Sequence, residues 1–130
     1  MIQVSVHEHA EADIDRLWRS DHLAAAAVVA TLEQLAADPR LVDKLTTHGN
    51  NDAGAHEINV KRWQRIRATR GDLWRFRVLN TPATSYRVIY GYEVRTRQIC
   101  VLAVVHKSEF DYDDTSNPLA QRITDDWRTL

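Results

Sequence analysis

Apolar and polar side chains alternate in the first residues, Ile2-Gln3-Val4-Ser5-Val6, as they do in a strand with one buried face. The spacing then lengthens. Ala10, Ala12, Ile14, Leu17 and Trp18 recur at close to helical spacing through residues 9–19. Ser20 or Asp21 can cap a second helix, because a short oxygen-bearing side chain accepts from the free N–H groups of a first turn. That helix is rich in alanine, offers Leu23, Ala26, Ala27, Ala30, Leu32, Leu35 and Ala36 for packing, and stops before Pro39. Small side chains let two helices approach closely, so residues 9–38 are expected to form an antiparallel helical hairpin.

Residues 46–56, TTHGNNDAGAH, are polar and turn-rich and are expected to form an exposed loop. Residues 56–61 suit a short strand, whereas 61–68 fit a helical turn or an extended edge equally well. From Asp72 alternation returns, with Leu73, Arg75, Arg77 and Leu79 on one face and Trp74, Phe76 and Val78 on the other. Residues 80–84 make a hairpin connection to a strand at 86–93, and 95–98 turn into the apolar run 99–105, suited to a buried strand. Leu119, Ile123 and Trp127 share one face of a terminal helix. The expected order is β-α-α-β-β-β-β-α. This is an α+β fold in which an N-terminal strand and a helical hairpin pack on a small, mainly antiparallel twisted sheet, with a C-terminal helix. A length of 130 residues is expected to form one domain.

Charge alters this ordinary picture. The total is −1, which taken alone argues against a nucleic-acid partner. Residues 1–60 carry 4 basic and 10 acidic side chains, residues 61–107 carry 11 and 2, and residues 108–130 carry 2 and 6. The central block, densest from Lys61 to Arg77, suits a polyanion at close range. Pairing of these cations with the acidic flanks is the competing explanation. The single cysteine, Cys100, excludes an internal disulfide framework and any multi-cysteine zinc site. No apolar run is long enough to span a bilayer, and no basic-then-apolar leader opens the sequence, so a cytoplasmic protein without a membrane partner is expected.

Candidate chemistry gathers in the basic block. Arg75 and Arg77 necessarily point the same way along their strand, opposite Trp74 and Phe76. Arg87 on the neighbouring strand, and His106 and Lys107 at the end of the next, can join them, with Tyr112 close behind. Such a set suits a phosphodiester: cations stabilise charge on the phosphate, while an imidazole or phenol moves protons. Lys61, Arg62, Arg65 and Arg67 suit sequence-independent contacts with a polyanion backbone. His7-Glu8-His9 tempts a metal assignment, but two histidines without further ligands do not make a site, and no metal or cofactor is expected.

The element order and the strings LWRFRV (73–78), SYRVIYGY (85–92) and ICVLAVVHK (99–107), with Tyr112, resemble the RelE/ParE superfamily of bacterial type II toxins. The resemblance covers most of the chain and is strongest over 72–112. It implies a toxin held inactive by a cognate antitoxin. In the RelE/HigB-like branch it implies an endoribonuclease (an mRNA interferase) that enters the ribosomal A site, contacts ribosomal RNA and blocks translation. The 2′-hydroxyl of the mRNA attacks the adjacent phosphate without a metal. The family's paired basic positions then fall on Arg75 and Arg77, its phosphate-binding arginine on Arg87, its basic residue after the last strand on Lys107 and its tyrosine on Tyr112. RelE has lysines in place of Arg75 and Arg77 and an arginine in place of Lys107, and the 46–56 segment and acidic tail are additions. The alternatives are a ParE-like inhibitor of DNA gyrase and an inactive toxin-fold binding module.

Overall fold

The computed structural model describes residues 3–63 and 71–130. Strand β1 (Gln3–Val6) leads into helices α1 (Glu8–Ser20) and α2 (His22–Ala37), then a single helical turn α3 (Pro39–Val42). Strands β2 (Gly49–Asp52), β3 (Glu57–Arg62), β4 (Asp72–Val78), β5 (Tyr86–Glu93) and β6 (Gln98–His106) follow, and helix α4 (Pro118–Arg128) closes the order. The strands form one sheet in the order β1-β6-β5-β4-β3-β2, in which only β1 and β6 run parallel. The fold is α+β, with the hairpin and terminal helix read from the sequence. None of the described helices is long and apolar enough to cross a membrane.

The helix boundaries follow local chemistry. Asp21 caps α2 by accepting the Ala24 N–H at 3.2 Å, and Asp38 caps the turn that Pro39 begins. Two apolar layers sandwich the sheet. On one face Trp74, Phe76, Val78, Val88 and Tyr90 pack beneath Ala10, Leu17, Ala24, Val28 and Leu35 of the hairpin. On the other, Leu73, Ile89, Cys100, Leu102 and Val105 pack beneath Ala120, Ile123 and Trp127 of α4.

Two features depart from the expected pattern. Residues 49–52, expected to lie in a loop, form the edge strand β2, paired from Gly49↔Val60 to Asp52↔Glu57. Its sequence, GNND, has no apolar face, so alternation could not reveal it. Backbone pairing and an Asn59 to Asn50 side-chain bond of 2.7 Å hold it instead. The second departure is a bulge. Ile89 pairs with Ala103 but Tyr90 pairs with Val101, so Leu102 is an extra residue on β6. Beyond it the facing of every β6 side chain is reversed relative to a regular strand.

β1 pairs with β6 only as far as Val101, so the edge of β6 beyond it is open. A polar clamp covers that edge. Asp13 of α1, almost fully buried, accepts the Val104 N–H at 3.0 Å, and Arg122 of α4 donates to the Leu102 carbonyl at 3.1 Å. Arg122 also donates to Asp13 at 2.8 Å, and Arg16 adds a further contact to the same carboxylate. The clamp thus satisfies backbone groups that a longer β1 would have paired, and it joins the two helical layers.

Candidate nucleic-acid interface

Alternation along β4 sets Arg75 and Arg77 on the α4 side of the sheet, with Leu73, and sets Trp74 and Phe76 against the hairpin. Arg87 lies two residues from Ile89 on β5 and therefore shares the arginine face. After β6 the chain returns across this face, stacking Phe110 and Tyr112 against Trp63. The ring centroids are 5.0 Å apart for Trp63–Phe110, 5.6 Å for Trp63–Tyr112 and 4.7 Å for Phe110–Tyr112, all close to edge-on. The Trp63 indole N–H donates to the Tyr112 carbonyl at 3.1 Å, which fixes the backbone of the tyrosine.

These elements enclose an open cleft of ≈ 610 Å³ lined by Lys61, Arg62, Trp63, Arg75, Arg87 and Tyr112. Arg75 donates to the Asn59 side-chain oxygen at 3.2 Å, and Asn59 in turn bonds to Asn50, so a polar relay across three strands steadies the guanidinium. Arg87 donates to the Thr84 and Tyr86 carbonyls at 3.0 and 3.3 Å. The Arg77 Nε is buried and has no hydrogen-bond partner among the described residues. None of Lys61, Arg75, Arg77 and Arg87 forms a salt bridge among the described residues. Burial lowers the pKa of Arg75, and the charges of Arg87 and Arg77 lower it further, while Tyr112 acts in the opposite sense. Burial and Arg77 likewise lower that of Arg87. Both remain cations, since a guanidinium does not give up its proton in proteins.

Tyr112 stands over these charges. Its hydroxyl is buried without a hydrogen-bond partner among the described residues, and burial pushes its pKa up to about 12 despite the opposing pull of Arg75 and Arg87. It is therefore a phenol at neutral pH, able to give a proton but not to take one.

The remaining sequence candidates are placed differently. Arg62 pairs with Asp72 at 2.9 Å on the exposed rim. Arg65 and Arg67 lie outside the described residues. Lys107 is exposed, and its backbone N–H donates to the Ser85 carbonyl at 2.8 Å, but it does not line the cleft. His106 was expected beside the arginines and is not there. It packs edge-on to Tyr86 with centroids 5.1 Å apart, bonds to Ser108 at 2.7 Å, and lines a recess of ≈ 150 Å³ with Asp13, Leu17 and Arg122. The bulge at Leu102 is the reason: regular alternation from Cys100 would bring His106 to the cleft side, and one inserted residue turns it away.

The imidazole that does line the cleft is His48, just before β2 and edge-on to Trp74 at 5.0 Å, with Asp113 also on the lining. His48 stands in a polar run without periodicity, so only the pairing of β2 with β3 reveals its place. Among the described residues, the one group of imidazole and carboxylate atoms that converges as a metal would require lies elsewhere, at His7, His9 and Asp126.

No protein-family model matches the chain, and no curated protein matches it. Among solved structures it is similar to a chain in the crystal structure of the archaeal RelE-RelB complex from Pyrococcus horikoshii OT3. The identity is 16% and the TM-score 0.45, over 84% of this chain and 98% of that one.

Proposed function

We propose that this chain is the toxin of a type II toxin-antitoxin system and cleaves mRNA in the ribosomal A site by metal-independent attack of a 2′-hydroxyl on the adjacent phosphate. The observation that carries this reading is the group of half-buried arginines, Arg75, Arg77 and Arg87, without salt-bridge partners among the described residues. Cations crowded together and partly desolvated are unfavourable until an anion joins them, and a phosphodiester accepts from guanidinium forks in bidentate fashion. In the reaction the 2′-oxygen bonds to phosphorus, the bond to the 5′-oxygen breaks, and a cyclic phosphate remains. Arg75, Arg77 and Arg87 stabilise the charge on the phosphoryl oxygens. Tyr112, protonated at neutral pH, supplies the proton to the departing 5′-oxygen, and His48 on the cleft lining takes the proton of the 2′-hydroxyl. Lys61 and Arg62, with Arg65 and Arg67, hold the RNA backbone without reading its sequence. The antitoxin partner is expected to present acidic groups to the same cations.

Translation-coupled mRNA cleavage tests this reading. Arg87→Ala and His48→Ala are each expected to lower cleavage by ~10²-fold or more, the scale of losing one transition-state contact or a general base. Undiminished cleavage in Arg87→Ala would overturn the site. The second reading, a ParE-like gyrase inhibitor, is favoured by one observation: His106, which strand alternation assigns to the arginine face, is turned away from the cleft. Inhibited supercoiling with intact mRNA would decide for it.

A further inference from the structure

Away from the cleft, the junction of β1 with α1 meets the last turns of α4. His7 is the N-cap of α1, His9 lies in its first turn, and Asp126 reaches them from 117 residues further along the chain. We infer that His7, His9 and Asp126 form a binding site for one divalent transition-metal ion of the zinc class, with a coordination position left open.

Three observations support the site. The first is convergence. Asp126 Oδ2 lies 2.7 Å from His9 Nδ1 and 3.6 Å from His7 Nδ1, and one ligand atom from each residue falls within 4.8 Å of the others. A tetrahedral ion with bonds of about 2.0–2.1 Å spaces its ligands roughly 3.3 Å apart, so the separations of Asp126 Oδ2 from the two imidazole nitrogens bracket that value. The second is exposure where it is needed. Asp126 and His7 are mostly buried, whereas the His9 side chain is 48% exposed and can turn to open the short contact. The third is orientation. Arg122, held on Asp13 by its terminal nitrogens, places its Nε 4.0 Å from the same Asp126 Oδ2, a charge attraction that helps hold this oxygen where the histidines meet it.

The donor set selects the ion. Two neutral imidazoles and a single carboxylate suit zinc, cobalt or nickel. They do not suit calcium or magnesium, which take six or more oxygen ligands. Arg122 and Arg16 oppose a cation, and the carboxylates of Asp13 and Asp126 offset their two charges. His7 Nδ1 now accepts the His9 N–H at 3.1 Å, so binding replaces one helix-cap bond by a bond to the ion. The bound ion would tie the first turn of α1 to α4, two segments otherwise joined here through one carboxylate. The site is independent of the cleft and of any activity there.

The test uses the full chain without an affinity tag, stripped with chelator, then titrated with Co²⁺ followed by visible absorption and with Zn²⁺ followed by calorimetry. One ion per chain is expected. His9→Gln and Asp126→Asn should each weaken binding by more than the ~10–100-fold that loss of an outer-shell partner costs. His56→Gln, a histidine outside the cluster, should leave binding unchanged. Zn²⁺ should raise Tm of the wild type and not of His9→Gln, whose exposed position keeps the variant folded. Absence of saturable binding, or binding that His9→Gln leaves intact, would overturn the site.

Discussion

Tyr112 shows how one side chain can carry information that its sequence position does not. Its place close behind the basic strands marks it as a candidate, but its protonation state comes from burial against Trp63 and Phe110. The expected outcome is a phenolate that forms only as pH approaches about 12, read by spectrophotometric titration against Tyr112→Phe. The sign of the linked stability follows. The folded pKa lies above the unfolded value of 10.0, so the stabilising contribution is complete below pH 10.0 and is lost as pH rises toward about 12. The shared facing of Arg75 and Arg77 was legible, because strand alternation alone dictates it. His106 was misjudged because a bulge has no signature in an uninterrupted apolar run, 99–105, and one extra residue reverses a face. His48 was invisible for the opposite reason: a polar strand gives no pattern to count.

The helices and most strands were legible since their apolar spacing is strong, and what the pattern could not supply was how they dock. α4 lies on β5 through Gly91, where an added Cβ would come within 2.6 Å of the Trp127 ring. Gly91→Ala is therefore expected to destabilise the protein by ~1–3 kcal/mol, the range for overpacking, measured by denaturant unfolding. The clamp at the β6 edge predicts a larger effect. Asp13→Ala would leave Arg122 and the Val104 N–H without their partner, and is expected to cost ~3–5 kcal/mol, seen as a clear fall in Tm. An unchanged Tm would mean that water replaces the carboxylate at that edge. No sequence rule announces such a clamp, because a buried aspartate reads like any exposed one until β1 proves too short to cover β6.

A net charge of −1 conceals a field with a sign that depends on position. Lys61, Arg62, Arg75 and Arg87 line one cleft, while the acidic flanks supply α1, α2 and α4, so attraction of a polyanion is short-ranged and local. The slope of log K against log salt for single-stranded RNA should fall in magnitude by ~1 when Arg75 or Arg87 becomes alanine, measured by fluorescence anisotropy. Substitution of acidic residues in 1–60 should barely alter it. The strand order has a consequence of another kind, in time. β6 lies between β1 and β5, so β1 must wait for β6, with Ser5 bonding to the Ile99 carbonyl across 94 residues of sequence. The Asp13–Arg122 bond spans 109. Contacts this distant slow folding, because loop-closure entropy is lost before the pairing is gained. During synthesis the helical hairpin can form early from local contacts. The cleft acquires its tyrosine wall only after β6 has emerged, and the edge clamp only after α4. The cationic cleft is thus completed only once residue 112 has been made, well after the helical hairpin.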